Sequence, residues 1–85
     1  MKYYYIHNKQ SYQKEHYQMV KVSELESSGN LFCGLIIFEQ INNKMKFPFD
    51  IAYRIYTGNK NKLDIVKEYD GLNEVLVDFP VLMLL

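Results

Sequence analysis

The chain has 85 residues, ten basic and ten acidic side chains with no net charge, 48% hydrophobic residues and 15% aromatic ones. That length suits one domain and leaves nothing for a second core, while the apolar and aromatic content separates it from disordered chains. Zero net charge excludes a strong overall field that would draw in nucleic acid or an acidic membrane, and a single cysteine, Cys33, excludes an internal disulfide.

Small secreted domains usually carry several paired cysteines, so the lone Cys33 points to a reducing interior, the cytoplasm. Residues 1–7, MKYYYIH, lack the apolar stretch and small-residue cleavage site of a signal peptide. No apolar run approaches the roughly 18 to 20 residues that a membrane helix needs, so a soluble protein without a membrane role is expected.

Residues 3–7 and 17–22 are rich in Tyr and β-branched side chains and read as strands, joined by a polar segment. The consecutive Tyr3, Tyr4 and Tyr5 must point to both faces of such a strand. Residues 23–30, containing Ser27-Ser28-Gly29-Asn30, read as a turn or one helical turn. Residues 31–38 are almost continuously apolar, as in a central strand, and Gly34 within them suggests a bulge or the close approach of another backbone or ring. Asn42 and Asn43 tolerate positive φ and predict a tight hairpin.

The clearest pattern lies at residues 45–56. Met45, Phe47, Phe49, Ile51, Tyr53 and Ile55 alternate with Lys46, Pro48, Asp50, Ala52, Arg54 and Tyr56, which is the period of a strand with one buried face. Pro48 has no N–H for a ladder, so the strand should run at an edge or bend near Pro48 and Asp50, which allows two shorter strands. Residues 57–62 read as an exposed hairpin loop, and residues 63–69 as a third consecutive strand with Leu63, Ile65 and Tyr69 on one side.

Residues 70–79 carry two readings. Leu72, Val75, Leu76 and Phe79 fall at helical spacing, with Asp70 and Asn73 as capping residues and Pro80 as the stop; the competing reading is a hairpin at Asp70-Gly71 followed by a strand. The helix is favoured. Residues 81–85, VLMLL, are too apolar to be left in water and should form a final strand or dock on a partner. The expected fold is mainly β (α+β): a small twisted antiparallel meander sheet or partly open barrel with local connections and one short helix near the C-terminus.

Charge is distributed in blocks. Residues 1–22 carry +3, residues 23–40 carry −3, residues 41–62 carry +4 and residues 63–85 carry −4. Opposite signs on neighbouring strands would form weakly helpful cross-strand pairs.

Reactive constellations are sparse. His7, His16 and Cys33 are spaced singly, without the paired ligands of a zinc site, and Cys33 within an apolar run reads as a core residue rather than a nucleophile. The glycines are isolated, so no phosphate-binding loop is expected; neither a metal nor another cofactor is expected. Carboxylates at Glu24 and Glu26, and at Asp64, Glu68, Asp70, Glu74 and Asp78, read first as solvated faces, with a docking patch for a basic partner as the alternative for the second group.

The leading expectation is therefore a non-enzymatic protein-binding module, such as a small regulator, adaptor or inhibitor, acting through an exposed sheet face, an edge strand or the apolar C-terminus. Its contact residues would be Tyr3, Tyr4, Tyr5, Tyr17, Arg54 and Tyr56, and its partner another protein or a second copy of the chain. The alternative is single-stranded nucleic acid, stacked on the tyrosines and neutralised by Lys2, Lys46, Lys60 and Lys62; a single Arg and zero net charge weaken it.

Overall fold

A computed structural model of the chain describes residues 2–9, 12, 15–25, 31–47, 55–59 and 64–84. Its elements in chain order are β1 (Lys2–His7), β2 (His16–Leu25), β3 (Leu31–Ile41), β4 (Lys44–Lys46), β5 (Ile55–Asn59), β6 (Asp64–Tyr69), the helix α1 (Leu72–Asp78) and a 3-10 turn, Pro80–Leu84. The fold is mainly β, one open antiparallel sheet with a short helix near the C-terminus, as the sequence patterning predicts.

The strand order is β4-β3-β2-β1-β6, with β5 also paired to β3. Since β2 occupies one side of β3 along most of its length, β4 and β5 share the other. Between those two pairings β3 contributes only residues 36–38, whereas residues 47–54 separate β4 from β5. That surplus makes two short strands out of the single alternating run. The bend expected at Pro48 and Asp50, and the alternation through residues 48–54, lie outside the described residues.

The hairpin at Asn42-Asn43 forms with φ of 51° and 67° at the two positions. Positive φ at both central residues is the mark of the type I′ turn, whose twist matches the flanking strands. Here local chemistry alone sets the connection and pairs Ile41 with Lys44.

Three local expectations are corrected. Residues 23–25 continue β2, paired to β3 around a register shift between Val22 and Glu24, instead of turning; residues 26–30 lie outside the described residues. Thr57, Gly58 and Asn59 belong to β5 rather than to a loop. And β6 does not lie beside β5; it crosses to pair with β1, so the chain departs from a pure meander at that step.

That crossing brings the basic N-terminal block against the acidic C-terminal one. Lys2 approaches Glu68 and Asp70 at 3.7 and 3.6 Å, and Asp64 receives His7 at 3.3 Å and Lys9 at 3.4 Å. These pairs are partly solvated and contribute at most about 1 kcal/mol each.

Both faces of the sheet are packed. Tyr4, Ile6, Val20, Val22 and Ile36, joined by Ile65, form one cluster. Tyr3, Met19, Phe38, Tyr69 and Val75 form the other, with Tyr5, Met45, Phe47, Phe79 and Leu82 against it. The tyrosine triplet therefore feeds both cores: Tyr3 and Tyr4, adjacent in sequence, are 6% and 1% exposed on opposite faces. Ile65 and Tyr69 also separate onto opposite faces, against the expectation of one side, because a register shift opposite Tyr5 and Ile6 inserts an extra residue into β6 and reverses the alternation.

A polar group interrupts the first face. Glu39, 3% exposed, accepts a hydrogen bond from Gln18 Nε2 at 2.8 Å and one from His16 Nε2 at 3.2 Å. Gln18 Oε1 in turn accepts from Asn8 Nδ2 at 3.4 Å. A buried carboxylate is tolerated only with such donors, and this one ties β2 to β3.

Candidate functional site

The helix forms where the apolar residues switch from alternate to helical spacing. Its N-cap is Gly71, which makes no side-chain capping bond; neither Asp70 nor Asn73 serves as the expected capping side chain. Instead the carboxylate of Glu74 reaches back and accepts the N–H of Asp70 at 3.1 Å. The peptide N–H of Phe79 closes the last turn on Val75 O at 2.8 Å, and Pro80, lacking an N–H to continue it, opens the 3-10 turn.

One side of this C-terminal segment faces the sheet. Val75 is fully buried, and the Phe79 ring lies 5.0 Å from Phe38 and 5.1 Å from Tyr5, centroid to centroid, in tilted arrangements. Such ring pairs add about 0.5–1.5 kcal/mol each beyond their burial. Asp78 fastens the helix to β6, accepting the Tyr69 hydroxyl at 2.6 Å and Lys67 Nζ at 2.9 Å. Those two donors hold the Asp78 carboxyl below the usual carboxylate range, while burial, and next the hydrogen bond to Asp78, push the Tyr69 phenol well above its ordinary value.

The other side is apolar and open. Val77, Met83 and Leu84 are 79%, 70% and 85% exposed, and Leu72 and Val81 are 47% and 41% exposed. Residues 70–84 hold Asp70, Glu74 and Asp78 and no basic residue. The segment thus combines exposed apolar and acidic side chains with an anchor of Val75, Phe79 and Leu82. The sequence marks residues 81–85 as too apolar for water; residues 81–84 lie in a 3-10 turn rather than a final strand, and among the described residues of the tail only Leu82 packs against the core. Val77 was not foreseen as a site residue, and the signal for it is its position on the helix opposite Val75 and Phe79.

The expected contact residues are distributed differently. Tyr3 and Tyr4 are buried and offer no ring to a partner. Tyr5 is half-buried, donates to Gln40 Oε1 and stacks on Tyr17 at 5.3 Å, and Tyr17 stacks on His7 at 4.6 Å. Burial, and then the charges of Tyr17 and Glu15, push the Tyr5 phenol up to about 12. These rings are engaged mainly with one another. Tyr56 lies in β5 at register with Gly34, and Arg54 lies outside the described residues.

Of the lysines named for nucleic acid, Lys2 sits on β1 against Glu68 and Asp70, and Lys46 is exposed on β4. Two strands, β2 and β3, separate them. Lys60 and Lys62 lie outside the described residues. Among the described residues no group of three His, Cys, Asp or Glu side chains is arranged to hold a metal, and no helix is long and apolar enough to cross a membrane.

The edge strand β6 is poorly suited to pairing with a second copy of itself. It carries an irregularity at Val66 and exposed Lys67 and Glu68, features that blunt sheet edges. In a two-fold antiparallel pair, centring on Lys67 would oppose two ammonium groups, centring on Glu68 two carboxylates, and centring on Val66 would set Asp64 against Glu68. Compared with protein-family models, curated proteins and solved structures, the chain matches none.

Proposed function

We propose that this chain is a non-enzymatic protein-binding module that engages its partner through the exposed apolar surface of its C-terminal segment. The observation that carries this reading is the division of one short segment between anchor and display: Val75, Phe79 and Leu82 pack on the sheet while Val77, Met83 and Leu84 stand in water. Exposing such residues together costs solubility, and surfaces of this kind on small soluble domains mark sites of association. The rigid sheet beneath them keeps the display ordered, which lowers the entropic cost of binding.

The test is a comparison of native protein with a Val77→Gln, Met83→Gln, Leu84→Gln variant as baits in a lysate of the source cells, after circular dichroism has shown that the two melt alike. Proteins retained by the native chain and lost by the variant support the reading. Equal retention by both, or retention by neither at micromolar bait, overturns it.

A further inference from the structure

We infer that residues 72–84 form a strap that opens as one unit while the sheet stays folded, and that Asp78, through Tyr69 and Lys67, is the clasp that holds it shut. Opening is a property of the free chain and stands whether or not the outer surface of the segment binds a partner.

The first ground is the wiring of the backbone. Among the described residues the sheet ladders join β1 to β6 with one another and take in no residue of the segment. The segment's backbone bonds close on itself and on its joint to β6: the N–H of Val75 donates to Gly71 O, that of Phe79 to Val75 O and that of Leu82 to Phe79 O. The segment can therefore leave without breaking a ladder bond. Little of it is buried, too: Val75 is the one buried residue of α1 and the 3-10 turn has none, while Phe79 and Leu82 are partly covered. Elements with few buried contacts and self-contained hydrogen bonds open at less than the free energy of global unfolding.

The second ground is the position of Asp78. A helix of seven residues is well short of the roughly 12–15 at which isolated helices become even marginal, so α1 does not persist away from the sheet. Asp78 stands in its last turn, which carries no basic residue, and a carboxylate there opposes the helix dipole. Its charge is met from β6, by the Tyr69 hydroxyl at 2.6 Å and Lys67 Nζ at 2.9 Å, and among the described residues these are the segment's side-chain hydrogen bonds to the sheet. The residue least suited to a free helix is thus the one that ties the helix down, so docking and helix are lost together. Opening removes Val77, Met83 and Leu84 as an ordered surface and uncovers Tyr3, Met19 and Phe38.

The inference is tested on the full isotope-labelled chain by amide hydrogen exchange, followed by NMR across urea concentrations below the unfolding transition and under conditions where the rate reports the open population. The amides of Phe79 and Leu82 should exchange at least about tenfold faster than the slowest amides of β2 and respond less to urea, because opening the strap exposes little surface. Asp78→Ala should speed the strap amides by about threefold or more through loss of the two bonds; without a clasp it would slow them, since alanine favours the helix and removes the charge opposing its dipole. Ile36→Val, a mild change in the cluster on the other face, should speed the β2 amides by about threefold and leave the strap amides as they were. Strap amides that follow the β2 amides in rate and urea response, or that Ile36→Val speeds to the same extent, overturn the separate unit. Strap amides unchanged or slowed by Asp78→Ala overturn the clasp.

Discussion

Replacing Gly34 with alanine places a demand on the sheet that its geometry cannot meet locally. A Cβ at that position would meet Val20 Cγ1 at 2.8 Å and would come closer still to the carbonyl oxygen of Lys21, a backbone atom with no rotamer to yield. Gly34 is paired with Val22 beside a register shift. Overpacking of this kind costs about 1–3 kcal/mol, whereas the reduced freedom of the unfolded chain returns only about 0.4–1 kcal/mol. The contact wins. A net loss of about 1–2 kcal/mol in a domain of this size lowers the melting temperature by roughly 5–15 °C. Gly71→Ala is the matched control, because a Cβ there has nothing within 4 Å and the backbone is extended with φ of −163°. Thermal denaturation followed by circular dichroism reads both. A Gly34→Ala protein that melts within about 2 °C of the native protein would refute the close-approach reasoning.

Three further outcomes are expected. Glu39→Ala leaves the buried Gln18 Nε2 and His16 Nε2 without their acceptor and should cost about 3 kcal/mol by urea denaturation, a loss under 1 kcal/mol showing that the network is not holding β2 to β3. Gly71→Ser adds a capping hydroxyl where the helix makes no side-chain cap bond and should stabilise by about 0.5 kcal/mol, measured the same way, with destabilisation contradicting the assigned N-terminus. Finally, the folded Tyr5 phenol titrates near 12 whereas an unfolded one titrates near 10.0. Its raised value favours the native state below pH 10, and this contribution is lost as pH rises through the interval up to 12. Stability should therefore fall across that interval and fall less in Tyr5→Phe; an identical alkaline profile for both proteins, followed by phenolate absorbance and circular dichroism, would contradict the assignment.

The candidate surface was half legible. The tail at residues 81–85 was too apolar to belong in water, and that much followed from composition. Which of its side chains turn inward depends on how the helix sits on the sheet: Phe79 finds Phe38 and Tyr5, Leu82 joins the same cluster, and Met83 and Leu84 are left outside. The tyrosines show the reverse. Their number suggested an interface, but β1 lies between β2 and β6 and both of its faces are packed, so Tyr3 and Tyr4 became core.

What the sequence determined by itself is the local part of the fold. Alternating apolar residues impose extended backbone, the Asn42-Asn43 pair imposes its own turn through positive φ, and the switch to helical spacing ahead of Pro80 sets α1. Each depends on neighbours a few residues away, where sterics and hydrogen-bonding capacity are written directly in the chain. Tertiary structure decided the rest: that β6 crosses the sheet to β1, that an extra residue in β6 reverses its faces, and that one helix covers Tyr3 and Tyr5 while leaving Val77 in water. Those outcomes depend on competition among distant strands for the same edges and faces, and the winning partner is fixed only when the whole sheet is assembled.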